Sequence, residues 1–152
     1  MAIATRHRVR AHTPPRINAA LEEDIRHRLT EYATRLEDIE ARLRTLDREW
    51  DIERAIEANA SSLALAGLAL GVLHDRRWLA LPIVVAGFLL QHAIQGWCPP
   101  VPVLRRMGFR TAEEIGRERV GLKALRGDFE GAAAHHWETP QDRATAALRA
   151  AQ

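Results

Sequence analysis

The most informative part of this chain is residues 58–104, which read ANASSLALAGLALGVLHDRRWLALPIVVAGFLLQHAIQGWCPPVPVL. Two stretches without formal charge, 58–73 and 78–104, stand on either side of a short polar turn, residues 74–77. The second stretch exceeds the roughly 20 residues that a helix needs to cross a bilayer. The first reaches that length only if Ile56 joins it and Glu57 turns its carboxylate toward the headgroups. The pattern predicts an antiparallel transmembrane helical hairpin over residues 58–104.

Aromatic and small residues support the same prediction. Trp78 and Trp97 are separated by a helical rise of about 28 Å, close to the thickness of the hydrocarbon core. Tryptophans at both ends of a span are typical of the membrane interface. Gly67 and Gly71 form a Gly-x-x-x-Gly pattern, which lets a second helix approach closely and predicts helix packing there. A buried hairpin in a soluble protein is the alternative, although no other segment is apolar enough to surround it.

A heptad pattern precedes the hairpin. Residues 16–57 contain no Gly and no Pro, and large apolar residues recur there at alternating spacings of four and three. Such spacing is typical of the a and d positions of a coiled coil. It predicts one coiled-coil helix over residues 16–57 and a homo-oligomer, with a dimer favoured. The alternative is that the stripe packs on the C-terminal helix of the same chain. Its members are Ile25, Leu29, Tyr32, Leu36, Ile39, Leu43, Leu46 and Trp50.

The flanking segments complete an all-α membrane protein. Residues 1–15 are rich in arginine and end in two prolines, which predicts a disordered basic arm, either solvated or in contact with anionic lipid. Three prolines within residues 99–102 end the second apolar helix. A capping box at Thr111–Glu114 opens an amphipathic helix within residues 105–131, and residues 132–152 are expected to form a flexible tail with a short helix. The apolar stripe of the amphipathic helix, interrupted by Glu118, consists of Ile115, Leu122, Leu125 and Phe129.

Arginine counts predict the orientation in the membrane. Six arginines lie near the outer ends of the hairpin, and two lie in its turn. Because Lys and Arg are retained preferentially on the cytoplasmic side, we expect both termini in the cytoplasm. Membrane lipid is then the first partner of the protein. The arginines that follow the hairpin, Arg105, Arg106 and Arg110, are expected at the level of the phosphate headgroups.

Little in the sequence indicates catalysis. The 152 residues include one cysteine and carry a formal net charge of +2. These values exclude a disulfide framework and a Cys-rich zinc site, and they give no reason to expect nucleic acid as a partner. Because no phosphate-binding loop, nucleophile elbow or His-Glu-x-x-His motif occurs, we expect no enzyme activity, no metal and no cofactor.

The candidate functional residues lie at the end of the second span. Cys98, beside Trp97, is either a reactive thiol or a small residue packed at a helix end, where the helix dipole disfavours a thiolate. Gln91, His92 and Gln95 place polar groups just before it. Polar groups at this depth either bond helices together or line a pathway.

The exit of the second span, Gly96-Trp97-Cys98-Pro99, resembles the Gly-aromatic-Cys-Pro motif of the YgaP-type transmembrane domain. That family is a bacterial two-helix inner-membrane domain of unknown function, and the resemblance covers roughly residues 59–108. It implies cytoplasmic termini and dimerisation through the spans. Family members occur alone or attached to a rhodanese, a sulfurtransferase, whereas here the heptad segment accompanies the motif. We therefore expect an oligomeric membrane scaffold or adaptor, with an accessory role of Cys98 in sulfur or persulfide handling as the alternative.

Overall fold

The computed structural model describes residues 7–130, which form helices and turns without any β-strand in that range. The all-α prediction is therefore confirmed for this part of the chain, whereas the predicted tail over residues 132–152 lies outside it. Two 3₁₀ turns, Leu36–Asp38 and Arg76–Leu79, precede the third and fifth of the α-helices. In chain order the helices are α1 (Arg8–Ala11), α2 (Pro15–Ala33), α3 (Ile39–Leu46), α4 (Ile52–Leu73), α5 (Ala80–Gln95), α6 (Val101–Arg106) and α7 (Ala112–Arg126).

The described residues divide into two compact units. The first contains residues 7–21 and 50–113, and the second contains residues 22–49 and 114–130. The first unit holds the two long apolar helices, α4 and α5. The second unit is rich in charged residues and has its own small apolar cluster.

The two apolar helices of the first unit begin and end at recognisable signals. Asp51 is the N-cap of α4 and accepts a hydrogen bond of 2.7 Å from the Arg54 N–H, which satisfies one of the unpaired donors of the first turn. Asp75 accepts a similar bond of 2.8 Å from the Arg77 N–H and is the N-cap of the 3₁₀ turn that leads into α5. Gly96, with a φ of 76°, ends α5 in the left-handed conformation that favours glycine.

The observed boundaries correct the predicted hairpin at both ends. The first helix begins at Ile52 rather than near residue 58, so it has 22 residues instead of a marginal 16. The second ends at Gln95, and part of the predicted segment forms the separate helix α6. By length and composition, Ile52–Leu73 and Arg76–Gln95 are long and apolar enough to cross a membrane.

Gly67 and Gly71 lie where α4 packs against the following turn and α5. A Cβ atom at Gly67 would stand 2.7 Å from the Pro82 ring, and one at Gly71 would stand 2.4 Å from the Leu79 side chain. Both distances are too short for a real Cβ contact, so the close approach depends on glycine. At both glycines the atoms that approach α4 belong to the same chain.

The lower end of the hairpin, where α4 begins and α5 ends, is closed by a cluster that α1 and α6 complete. Val9 of α1 is buried there, so the predicted disordered arm is wrong for residues 8–11, which are helical. The apolar face of this short helix gains more from burial than the segment would gain as a solvated arm. The buried members are Val9, Ile52, Ala55, Ile56, Cys98, Val101 and Leu104.

The second unit corrects the predicted coiled coil. The continuous helix predicted over residues 16–57 is wrong, because α2 ends at Ala33, α3 covers only Ile39–Leu46, and α4 begins at Ile52. Leu36 and Trp50, two of the eight heptad residues, are about half exposed. Five of the other six pack in a cluster with α7, as the alternative prediction described, while Ile25 is buried but is not a member of that cluster. That apolar cluster contains Ile39, Leu43, Leu46, Ile115 and Leu122, with Leu29 and Tyr32 against it.

Local chemistry accounts for the interruptions. The Thr34 hydroxyl donates to the Glu31 carbonyl at 2.7 Å, an alternative bond that competes with helical pairing. Asp51 starts a new helix as an N-cap. Because the chain turns back at residues 34–38, the apolar residues of α2 and α3 reach each other and α7, and they are buried without a second copy of the chain.

Candidate functional site

A half-open cavity of about 270 Å³ lies between α4 and α5 at the lower end of the hairpin. Its exposed lining is apolar throughout. Asn59 is the only amide in the wall, and its Nδ2 donates to the Ala55 carbonyl at 2.8 Å, which turns that donor toward the helix backbone. The lining residues are Ile56, Asn59, Ala60, Leu63, Val84, Val85, Phe88, Leu89, Cys98, Pro99 and Pro100.

Cys98 forms part of the cavity wall. The residue is only 2% exposed. Burial raises the pKa of its thiol, and a hydrogen bond from Val101 opposes that shift with a smaller effect. Because a thiolate is both the nucleophile and the metal ligand, this environment favours the less reactive protonated form. The geometry is that of a small residue packed at a helix end.

The polar residues predicted near Cys98 do not join it in one site. Gln91 and His92 are half-buried, Gln95 is exposed, and none of the three lines the cavity. Nδ1 of His92 is buried and has no hydrogen-bond partner within residues 7–130. Trp97 is half-buried and does not line the cavity either. The predicted group is therefore a set of neighbours along the chain rather than one convergent site.

The last turn of α5 is in close contact with α1. An Arg8 guanidinium N–H donates to the Ala93 carbonyl, one of the carbonyls near a helix end that lack a partner within the helix. A Cβ atom at Gly96 would lie 2.2 Å from the Arg8 Cβ. The first residue of the Gly-Trp-Cys-Pro segment thus needs to be glycine for two reasons, its positive φ and this close approach.

A buried arginine, Arg105, lies beside the same cluster. It is 1% exposed. Its guanidinium donates to the Thr13 hydroxyl at 3.2 Å, to the Asn18 side-chain oxygen at 2.9 Å and to the Phe109 carbonyl at 3.1 Å. Arg110 is buried as well. Arg105 and Arg110 are therefore buried within the protein, and only Arg106 of the three is exposed. Their position at headgroup level stays a prediction.

The second unit is built around a buried carboxylate, Glu118. It is fully buried and accepts hydrogen bonds from Arg28 at 3.2 Å and Arg42 at 2.8 Å. Burying a charge is costly unless it is paired and hydrogen-bonded, and here two guanidinium groups meet that need. Glu118 is the charged residue within the apolar stripe of α7, and arginines from α2 and α3 neutralise it there.

Neither Arg105 nor Glu118 is among the candidate residues predicted from the sequence. A signal exists for Glu118, since it shares the helical face of Ile115 and Leu122 and so occupies a position toward the core. Arg105 follows Val101 by four residues on α6, which is the same kind of signal in a much shorter helix. Pairing partners far apart in the chain, as with Arg28 and Glu118, leave no local pattern.

Among residues 7–130, no group of three or more His, Cys, Asp or Glu side chains could hold a metal ion. Comparisons with protein-family models, with curated proteins and with solved structures found no match for this chain. The resemblance to the YgaP-type domain therefore stays a prediction.

Proposed function

We propose that this chain is a membrane-anchored scaffold or adaptor, with α4 and α5 crossing a bilayer and the charged helical unit in water. The observation that carries the proposal is the outward direction of the apolar side chains. In the most apolar windows of the two helices, only 17% and 6% of residues are buried within the protein. The core helix of a soluble protein would be mostly buried, so a lipid environment is the natural cover for these faces.

The chemistry of the second unit supports a location in water. Its helices are joined by exposed or half-exposed ion pairs, which water solvates well and hydrocarbon does not. The Arg117 guanidinium contacts the Glu22 carboxylate at 2.5 Å, and Arg119 contacts Asp47 at 2.6 Å. Arg126 bridges Glu40 and Asp128 and thereby lowers the pKa of the Asp128 carboxyl. A charged helical unit attached to an apolar hairpin is suited to presenting a binding surface at a membrane.

Location and assembly complete the proposal. The excess of arginines outside the hairpin turn supports cytoplasmic termini, and the YgaP-type resemblance supports a bacterial inner membrane. The YgaP-type resemblance supports association of copies through the hairpin, with a dimer favoured. Under this proposal the protein catalyses no reaction, and its partners are membrane lipid and a second copy of the chain.

Membrane extraction tests the anchor. After expression, the protein should stay in the membrane pellet through carbonate and high-salt washes and should dissolve only with detergent. Two lysines on outward faces, Leu65→Lys with Ile83→Lys, should release a large fraction, since a lysine near the middle of a span costs about 2.5–3.5 kcal/mol. The matched control is Leu36→Lys in the second unit, where Leu36 is 52% exposed. Recovery of the unmodified protein in the soluble fraction without detergent would contradict the proposal.

The alternative, sulfur or persulfide handling by Cys98, predicts the opposite thiol chemistry. A sulfur carrier needs a thiolate near neutral pH, whereas burial raises the pKa of the Cys98 thiol. We expect iodoacetamide to alkylate the folded protein in detergent with a pH profile shifted to higher pH than that of the urea-unfolded chain. A folded profile shifted to lower pH would favour the sulfur alternative over the scaffold.

A further inference from the structure

A separate apolar surface lies on α6, outside the hairpin. Val103 and Arg106 of this short helix and its C-cap residue, Met107, share one side, since they are related by steps of three and four. Val103 and Met107 are 55% and 68% exposed, and Arg106 is exposed between them. The opposite side of α6, formed by Val101, Leu104 and Arg105, is buried.

The buried side determines which way α6 presents its outer side. Val101 and Leu104 pack in the cluster at the lower end of the hairpin. Arg105 is held by three hydrogen-bond acceptors, the Thr13 hydroxyl, the Asn18 side-chain oxygen and the Phe109 carbonyl. With its inner side packed and bonded in this way, the helix cannot turn Val103 and Met107 inward without losing these contacts.

The surroundings of α6 have the composition of a membrane interface. The cluster that holds Val101 and Leu104 also contains Ile52, the first residue of α4. Trp50, two positions earlier, is 47% exposed, and the Arg54 guanidinium lies 4.6 Å from its ring centroid. Exposed tryptophan, arginine and aliphatic side chains therefore occur together at the lower end of the apolar hairpin. Tryptophan and arginine concentrate at the boundary between hydrocarbon and headgroups.

We propose that α6 is an interfacial helix whose outer side, Val103, Arg106 and Met107, enters the headgroup–acyl boundary of an anionic bilayer. This inference rests on the proposed membrane anchor. Lipid is favoured as the occupant because α6 belongs to the same compact unit as α4 and α5, whose apolar windows are mostly unburied. Arg106 complements the negative charge of the lipid headgroups. A surface of three side chains is small for a stable protein interface, which needs roughly 1,000 Å² or more.

Site-specific fluorescence quenching tests the proposal on the full chain. In a Cys98→Ala background, Met107→Cys is labelled with an environment-sensitive maleimide dye and reconstituted into vesicles of equal parts phosphatidylcholine and phosphatidylglycerol. Val84→Cys, on an exposed position of α5, reports on the anchor itself. Val120→Cys, on an exposed position of α7 in the second unit, is the control for a water-exposed site.

Lipid carrying brominated acyl chains should quench the dye at positions 84 and 107, and aqueous iodide should quench it at position 120. A dye at 107 that behaves like the one at 120 overturns the inference while the anchor stands. A dye at 107 that resists both quenchers overturns it as well, because a protein surface then covers the site. Absence of lipid quenching at both positions 84 and 107 would contradict the proposed membrane anchor as well as this inference.

The charge of Arg106 gives a second, independent readout. Arg106→Glu should reduce lipid quenching at position 107 about twofold in the anionic vesicles, because a carboxylate is repelled by phosphatidylglycerol. In vesicles of phosphatidylcholine alone the same change should have little effect. Arg26→Glu, the same charge reversal on an exposed arginine of α2, is the matched control. Equal quenching in Arg106→Glu and the parent protein in anionic vesicles would contradict the role of anionic lipid.

Discussion

Glu118 and Arg105 are the most deeply buried charged side chains among residues 7–130, and each organises one of the two units. Each satisfies its charge with partners distant in sequence, Arg28 and Arg42 in one case and Asn18 and Thr13 in the other. Removing one member of such a group leaves the rest desolvated without compensation. Single substitutions at these positions should therefore affect packing far along the chain.

The first prediction at the residue scale concerns Glu118→Gln. The change leaves Arg28 and Arg42 facing a neutral amide in a buried site, and we expect the second unit to lose about 2–4 kcal/mol of stability. Hydrogen exchange of the α3 and α7 amides in the detergent-solubilised protein measures the loss. Glu23→Gln breaks the exposed Glu23–Arg26 pair and should change exchange by less than about 0.5 kcal/mol. Equal effects of the two variants would contradict the structural role of Glu118.

At the scale of elements, the hairpin depends on glycines that face a neighbour, and the chain offers an internal control. At Gly67 the nearest atom to an added Cβ belongs to the rigid Pro82 ring. At Gly71 it belongs to the flexible end of Leu79, and at Gly87 no atom lies within 4 Å. An added methyl group should therefore be tolerated in the order Gly87, Gly71, Gly67.

We expect Gly67→Ala to destabilise the hairpin by about 1–3 kcal/mol through overpacking. Gly71→Ala should cost less because Leu79 can move, and Gly87→Ala should be neutral or stabilising since alanine favours the helix. The midpoint of unfolding in sodium dodecyl sulfate, followed by circular dichroism, ranks the three variants. A larger loss at Gly87 than at Gly67 would be incompatible with the described packing.

The heptad residues of the second unit provide a further prediction at this scale. Ile39 is fully buried and Leu36 is 52% exposed, although both occupy equivalent heptad positions in the sequence. Ile39→Ala should cost about 2–5 kcal/mol in the unfolding of this unit, as expected for a large-to-small change in a core. Leu36→Ala should cost less than about 1 kcal/mol. Hydrogen exchange of the α7 amides measures both, and equal losses would instead support an oligomeric coiled coil.

At the scale of the whole molecule, the apolar hairpin and the charged helical unit are stable in opposite environments. The outward faces of α4 and α5 favour hydrocarbon, while the ion pairs of the second unit favour water. A membrane protein with a water-exposed helical unit meets both demands. Under the proposed membrane anchor, the distribution of arginine on either side of the hairpin predicts the orientation.

The proposed topology makes a direct prediction. A reporter fused after Gln152 should report a cytoplasmic location, and a tag inserted in the turn at residues 74–77 should be accessible from the periplasm. Arg76→Glu with Arg77→Glu should strengthen this orientation by removing positive charge from the turn. The control fusion is the same reporter on the unmodified chain. A periplasmic signal from the C-terminal fusion would overturn the arginine argument.

Properties that depend on neighbours in sequence could be predicted for this protein without its structure. The two apolar helices, the Asp75 cap, the glycine packing at positions 67 and 71 and the start of α7 after Thr111 all arise from local composition and spacing. Each is settled within a few helical turns, because backbone pairing and side-chain periodicity operate over that range.

The path of the heptad segment and the partners of the buried charges depend on the tertiary fold. An apolar stripe in a sequence shows that its residues must be buried, but it does not identify the surface that covers them. It fits equally well against a second copy or against α7, and the turn at residues 34–38 makes contacts within the chain possible. In the same way, the positions of Glu118 and Arg105 in the sequence show only that their buried charges need hydrogen-bond or ion-pair partners. Apart from Phe109, four residues after Arg105, their partners are 76 to 92 residues away. No local rule spans that distance, because free energy from burial and pairing is gained only once those segments meet.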